Sequence, residues 1–201
     1  MKKLLLVAAL VLPAASLAAT PPEGEPLKVR RGFFFETDVG GFLTLGGDDV
    51  YSNLQSYLQL GLGYDIRVVD AFGIGLGLHF GLGSSAANCY SGRPQAGANC
   101  PLTENFTVFF IDAHVGAIIR MAERFYFVPK LLGGFTLLDP APVALPDGEL
   151  VNKGANLGLA VGIEYATNMD HFSIGLDVGV RYVIGPSIIS LQFYPRVKYT
   201  F

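Results

Sequence analysis

The sequence predicts an all-β protein, an eight-stranded antiparallel up-and-down transmembrane β-barrel. Three observations predict this fold class. Eight segments alternate large apolar residues with small or polar ones, the connections between them alternate in length, and aromatic residues gather at one end of the segments. Alternation places successive side chains on opposite faces of a strand. Connections of alternating length and a girdle of aromatic residues are typical of barrels that cross the outer membrane.

Each predicted strand is long enough to cross a bilayer at a tilt, which takes about 9 to 11 residues. The clearest is "FGIGLGLHFGLG" over 72–83, where large apolar residues occupy the even positions and glycine most of the odd ones. We therefore expect one apolar face and one nearly bare face. The predicted strands span 32–45, 54–66, 72–83, 105–119, 125–138, 154–166, 172–183 and 188–201.

The connections predict which end of the barrel faces the cell surface. Tight connections at one end and longer ones at the other are typical of outer-membrane barrels, whose long loops are extracellular. The last connection is short where this pattern asks for a long one. The tight connections are 67–71, 120–124 and 167–171, the long ones are 46–53, 84–104 and 139–153, and the last is 184–187.

A soluble barrel that turns its apolar face inward, as lipocalins do, is the alternative. The apolar faces carry more bulk than an eight-stranded interior can hold, and they carry no charge. An exterior made largely of glycine would also be poor strand material. The aromatic residues at the short-turn end instead fit a girdle at a membrane interface. They are Phe33, Phe35, Tyr64, Phe72, Phe125, Phe127, Tyr165, Phe172, Tyr199 and Phe201.

The inward face predicts a lumen filled by paired charges. Eight strands leave an interior just wide enough for side chains, so glycines on this face make room for long polar residues. Buried charges persist when they are paired. The predicted lumen charge network consists of Glu36, Asp38, Asp65, Asp112, Glu164 and Asp177 as acids, with Lys130, Arg181, Arg196 and Lys198 as bases.

Two histidines, His79 and His114, share this inward face. We expect them to be hydrogen-bonded members of the network. The alternative is a metal site with Asp112 or Glu164, which would require the strands to bring these side chains together. The sequence predicts no cofactor.

The first residues of the chain, "MKKLLLVAALVLPAASLA", predict a signal peptide over 1–18. A retained membrane anchor is the alternative, although its apolar run is short for a spanning helix. Residues 19–31 are rich in proline and charge and predict a short periplasmic extension, which leaves 32–201 for the barrel. Cys89 and Cys100 flank a loop of an exported chain, so we expect a disulfide between them.

The charge distribution argues against nucleic-acid binding. The chain has a formal net charge of -3, and 15% of its residues are charged. It therefore lacks the basic surface that nucleic acid requires. Acidic residues in the predicted loops, Asp48, Asp49, Asp139, Asp147 and Glu149, give a mildly acidic exterior. They are expected to be solvated, with divalent cations shared with lipopolysaccharide as the alternative.

Over 32–201 the chain resembles the small eight-stranded outer-membrane barrels typified by OmpA and OmpX. The segment "RVKYTF" at the C-terminus looks like the signal read by the barrel-assembly machinery, with Tyr199 and Phe201 as its aromatic residues and Lys198 where that signal usually has glycine. The overall pattern of strands and loops is also similar to that of outer-membrane barrels linked to gliding motility.

Pro195 in the last strand cannot donate a hydrogen bond to the strand ladder and predicts a bulge.

These features favour a non-enzymatic barrel of the outer membrane. We expect it to contact membrane lipid and lipopolysaccharide, and to stabilise the envelope or anchor a surface or motility complex through its loops. A lipid A-modifying enzyme is one alternative, because His171 and Ser173 mimic the His-x-Ser of outer-membrane lipid A deacylases. A narrow pore is the other. The sequence does not identify the envelope protein that would bind the loops.

Overall fold

The structure, a computed structural model, describes residues 29–45, 53–86, 105–139, 143–144 and 150–201. Within these ranges, no helix has the length and apolar character needed to cross a membrane. All regular structure in them is β-strand.

The predicted antiparallel barrel is confirmed. Eight strands close in the order β1-β10-β9-β8-β5-β4-β3-β2, and a separate two-stranded hairpin is formed by β6 and β7. The strands are β1 Phe33–Leu45, β2 Asn53–Val69, β3 Phe72–Ala86, β4 Asn105–Arg120, β5 Phe125–Asp139, β6 Val143–Ala144, β7 Leu150–Val151, β8 Lys153–Ala166, β9 Phe172–Val183 and β10 Ile188–Thr200.

Barrel closure is made by the first and last strands. Phe34 pairs with Thr200, and the same register runs to Leu45 opposite Ile189. Every neighbouring pair in the barrel is antiparallel. A closed barrel satisfies the backbone polar groups of each strand without leaving an edge.

The bulge predicted at Pro195 is wrong. Pro195 pairs with Leu176 of β9 in an uninterrupted register. On its other side, the β1–β10 ladder resumes at Gly41 opposite Phe193 in the register that it had at Asp38. The missing N–H of proline is therefore accommodated by a local gap in one ladder, and no extra residue is inserted. The register shifts instead in β2, between Arg67 and Val69.

The outward face of the barrel is apolar across its middle. Leu60, Leu78, Ile111 and Leu159 are all exposed there. In the strands that the structure describes, charged outward positions occur near the loop end, as at Asp139 and Lys153.

The aromatic residues at the short-turn end contact one another across neighbouring strands. Their ring centroids are 5.3 Å apart for Phe33 and Phe201, 4.8 Å for Phe125 and Tyr165, and 5.0 Å for Phe172 and Tyr199.

The glycines of the inward face make room for large side chains. A Cβ at Gly81 would overlap the ring of Phe110, and one at Gly63 would lie 2.6 Å from Cζ of Phe34. The bare face therefore accommodates aromatic rings as well as charges.

Changing Gly81 to alanine is expected to destabilise the barrel by about 1–3 kcal/mol, because the added methyl must displace a buried ring in a packed interior. Gly133→Ala is the matched control, since the nearest atom to a Cβ there is 3.8 Å away. Urea unfolding of protein folded in lipid vesicles measures both variants. Equal stability of the two would show that the glycine series does not create this space.

Candidate functional site

The candidate functional site is the filled lumen, which is layered along the barrel axis. The layer nearest the long loops is apolar and aromatic. Tyr57 lies at its centre, with ring centroids 5.6 Å from Phe42, 5.9 Å from Phe110 and 5.7 Å from Tyr194. These edge-on contacts fill the mouth of the barrel with rings. The complete cluster is Phe42, Tyr57, Val108, Phe110, Leu138, Ile188 and Tyr194.

Below this cluster lie the charged side chains that alternation assigned to the inward face. The structure buries every one of them, and none is more than 5% exposed. They are Glu36, Asp38, Asp65, Asp112, Lys130, Glu164, Asp177, Arg181, Arg196 and Lys198.

Arg181 and Asp112 form the ion pair closest to the aromatic cluster. The Arg181 guanidinium also lies over the Phe110 ring, 4.0 Å from its centroid. Asn156 Nδ2 donates to Oδ1 of the same aspartate at 2.8 Å. Asp112 is thus held on both oxygens.

Arg196 joins three strands in the middle of the lumen. Its nitrogens lie 3.2 Å from Asp177 Oδ2, 3.2 Å from Glu164 Oε2 and 3.7 Å from Glu36 Oε2. Lys130 Nζ lies 3.5 Å from the other oxygen of Asp177. One guanidinium therefore links carboxylates from β1, β8 and β9.

Asp38 is held differently from the other acids. Its Oδ2 accepts a hydrogen bond from Nε2 of the buried Gln59, 2.5 Å away. This amide is on the neighbouring strand β2, directly opposite in register.

The short-turn end contains a compact group of two acids and two bases. Lys198 Nζ lies 2.8 Å from both Asp65 Oδ2 and Glu164 Oε2. Arg31 Nη1 lies 3.1 Å from Asp65 and 2.8 Å from Glu164. Each base therefore bridges the same pair of carboxylates, which closes this end of the charged lumen.

Alternation did not identify Arg31 as a lumen residue, because it precedes β1 and was assigned to the periplasmic extension. The chain before the strand turns inward, and the guanidinium also lies 4.3 Å from the Tyr126 ring centroid. Burial opposes its charge, but Glu164 and Asp65 outweigh burial and raise the pKa of Arg31. The predicted inward face has six acids and four bases, and this excess of acids indicates that a further base enters the lumen from outside the strands.

The two histidines meet a glutamate that the sequence did not single out for them. His79 Nε2 lies 2.6 Å from Glu36 Oε1, and the ring centroids of His79 and His114 are 4.3 Å apart. The metal site considered with Asp112 or Glu164 is not the arrangement observed. Those two carboxylates contact Arg181 and Asn156, or Arg31, Arg196 and Lys198.

His171 and Ser173 do not form a nucleophile and base pair. The His171 ring stacks on Tyr199 with centroids 5.1 Å apart, and its Nδ1 lies 2.6 Å from the carbonyl oxygen of Thr200. Ser173 Oγ is buried with no hydrogen-bond partner among the described residues. An activated serine needs its base within hydrogen-bond reach.

The aromatic residues proposed as an assembly signal end the last strand. Tyr199 contacts Phe172 and Phe201, and the backbone N–H of Phe201 donates to the carbonyl of Phe33 at 2.9 Å. Other predicted features lie outside the described residues. These are the signal peptide 1–18, most of the extension 19–31, the disulfide of Cys89 and Cys100, and the loop acids Asp48, Asp49, Asp147 and Glu149.

Several solved barrels share this architecture. Neisserial surface protein A is 13% identical with a TM-score of 0.63, and the match covers 85% of this chain and 97% of that one. The fold is that of the small eight-stranded outer-membrane barrels. Ail, the attachment invasion locus protein of Yersinia pestis, is 10% identical with a TM-score of 0.52, covering 86% and 100% of the two chains. The outer-membrane enzyme PagL is 9% identical with a TM-score of 0.52, covering 84% and 99%.

No protein-family model matches the sequence, and no curated protein sequence matches it.

Proposed function

We propose that this protein is a closed, non-enzymatic barrel of the outer membrane that acts through its long loops, as an envelope component or as the anchor of a surface complex. The observation that carries the proposal is the filled lumen. A barrel whose interior is occupied by ion pairs and aromatic rings offers its outer surface and its loops for function.

Two features support the membrane setting. The outward face is apolar across the middle of the barrel, and an aromatic girdle surrounds the short-turn end. Burying apolar side chains in lipid is favourable, whereas such a face in water would be a large hydrophobic surface. The short turns then face the periplasm, and the long loops face the cell exterior next to lipopolysaccharide.

The solved barrels of the same fold have different roles. They include a surface protein and an attachment invasion protein, but also an enzyme. His171 is hydrogen-bonded to the Thr200 carbonyl and not to Ser173, which favours the non-enzymatic role. The interior of paired charges favours an occluded barrel over a narrow pore. Three finer points stay predictions. They are a role in a motility complex, recognition of the C-terminus by the barrel-assembly machinery, and an envelope protein that binds the loops.

The loop between β5 and β8 provides the test. The backbone N–H of Leu138 donates to the carbonyl of Asn152 at 2.6 Å, so the two strands are already paired at the base of this loop. Replacing 139–151 by Asn-Gly, a two-residue turn suited to antiparallel strands, keeps Leu138 opposite Asn152 and should therefore leave the barrel folded. In a strain that lacks this protein, the full chain should correct the envelope defect that the deletion causes, and the shortened chain should not. Heat-dependent gel migration checks that both chains are folded.

The matched control replaces 19–28 by a Gly/Ser segment of equal length and should restore the phenotype. Rescue by the loop-shortened chain, together with failure of this control, would place the working surface in the periplasm. The lipid A acylation pattern of the deletion strain, read by mass spectrometry, should be unchanged. Altered acylation would favour the enzyme instead.

A further inference from the structure

We propose that Glu36, His79 and His114 bind a divalent transition-metal ion inside the barrel, with Zn²⁺ the best chemical fit. One ligand atom from each of the three residues lies within 4.8 Å of the other two, and all three side chains are buried. This site is independent of the role proposed for the loops.

The residue types suit zinc. Two imidazoles and one carboxylate, with an open fourth position, are a known zinc ligand set, and zinc–nitrogen bonds of about 2.0–2.1 Å place the ligand atoms a few ångströms apart. His79 Nε2 and Glu36 Oε1 already face each other at 2.6 Å. A small widening of this contact would place the ion between these two atoms. Carboxylate with imidazole does not select the hard cations Mg²⁺ or Ca²⁺.

The histidines have unused nitrogens in the interior. Nδ1 of His79 and Nδ1 of His114 are buried and have no hydrogen-bond partner among the described residues. His79 is 0% exposed and His114 is 7% exposed. Leaving a buried polar atom unpaired is unfavourable, so two such rings in contact require an explanation. With the ion between Glu36 and Nε2 of His79, Nδ1 of His114 is free to bind it, and Nδ1 of His79 is left for a water.

The charge around the histidines favours a cation. In the middle of the lumen, Glu36, Asp38 and Asp177 face Lys130 and Arg196, which leaves an excess of one carboxylate when the histidines are neutral and all three acids are ionised. The groups at the two ends of the charged lumen are each balanced. The excess therefore lies in the layer that contains His79 and His114. A metal ion, an imidazolium or a proton on Asp38 could compensate it, and the experiment distinguishes the metal ion from the other two.

The site has space for the rings and for a water ligand. A Cβ at Gly77 would lie 2.5 Å from Cε1 of His114, and one at Gly61 would lie 2.7 Å from Cδ2 of His79. The imidazoles occupy their positions because these residues are glycine. A cavity of about 10 Å³ is lined in part by Glu36 and His114. That volume is about the lower limit for one water molecule, which can complete a tetrahedral site.

The experiment uses the full mature chain purified from outer membranes, and the same chain refolded with Zn²⁺ or Co²⁺. We expect about one zinc ion per chain by elemental analysis after dialysis against a weak chelator. His79→Gln and His114→Gln should each reduce the metal content at least tenfold. His171→Gln is the matched control and should keep the metal, because His171 lies outside this cluster. Retention of metal by the first two variants would overturn the proposal.

A variant that does not fold would also lack metal, so X-ray absorption of the unsubstituted protein is the second measurement. We expect two imidazole ligands and oxygen ligands at about 2.0–2.1 Å, and a tetrahedral Co²⁺ spectrum after substitution. A metal-free chain that takes up neither ion on refolding would overturn the proposal. An imidazolium or a protonated Asp38 would then balance the charge of this layer.

Discussion

Replacing Arg196 with methionine is expected to lower the free energy of unfolding by about 3–5 kcal/mol, the usual cost of breaking a buried ion pair from one side. Arg196 contacts Glu36, Glu164 and Asp177, and no other described base contacts all three. Methionine fills the space of the aliphatic part of the arginine side chain and lacks the guanidinium. The loss is therefore electrostatic, because the carboxylates remain buried with fewer partners.

Urea unfolding of protein folded in lipid vesicles, followed by far-ultraviolet circular dichroism, measures the effect. Arg120→Met is the matched control, since Arg120 is exposed at the end of β4 and should change stability by less than about 0.5 kcal/mol. Adding Asp177→Asn to Arg196→Met should restore part of the loss by removing one stranded charge. A double variant no more stable than the single one would show that Arg196 does not act through Asp177.

The sequence predicts the features that follow from the two-residue period of a strand, which are the face of each residue and the bounds of the strands. A side-chain period of two assigns each residue to a face, and a slip of one residue would have moved every charge into lipid. The inward positions of Glu36, Lys130 and Arg181 could therefore be predicted without knowing which strands are neighbours. The strand bounds were close for the same reason, as at β9, which spans Phe172–Val183 as predicted.

Pairing within the lumen depends on information that alternation does not contain. Glu36 and His79 lie on strands separated by β2, and Gly61 between them leaves the space in which they meet. Which acid contacts which base depends on the stagger of the closed barrel, and local patterns do not specify it. Arg31 was missed because face assignment ends where the strand ends.

The sequence predicts the inward positions of the aromatic cluster at the loop end but not the packing of its rings. Phe42, Tyr57 and Phe110 all have inward parity in the sequence, yet the inward glycines were interpreted as space for polar side chains. The structure shows that glycine also accommodates rings, as Gly81 does for Phe110. The predicted Cys89–Cys100 disulfide lies outside the described residues and stays a prediction.

The second large expected effect concerns ion flow, because a filled lumen should not conduct. The aromatic cluster occupies the loop end, and the ion-paired group of Arg31, Lys198, Asp65 and Glu164 occupies the short-turn end. Moving an ion through this interior would require separating buried ion pairs, each costing several kcal/mol. Eight strands also enclose little more than the side chains themselves.

Conductance is therefore the most direct test of the central claim that this is an occluded outer-membrane barrel. The protein is refolded, its insertion is checked by protection of the strands from protease, and it is added to planar bilayers. We expect no steady current above that of the lipid alone, at both voltage polarities and at high salt. Stable, uniform current steps from inserted protein would contradict it, because they require a continuous water path through the lumen.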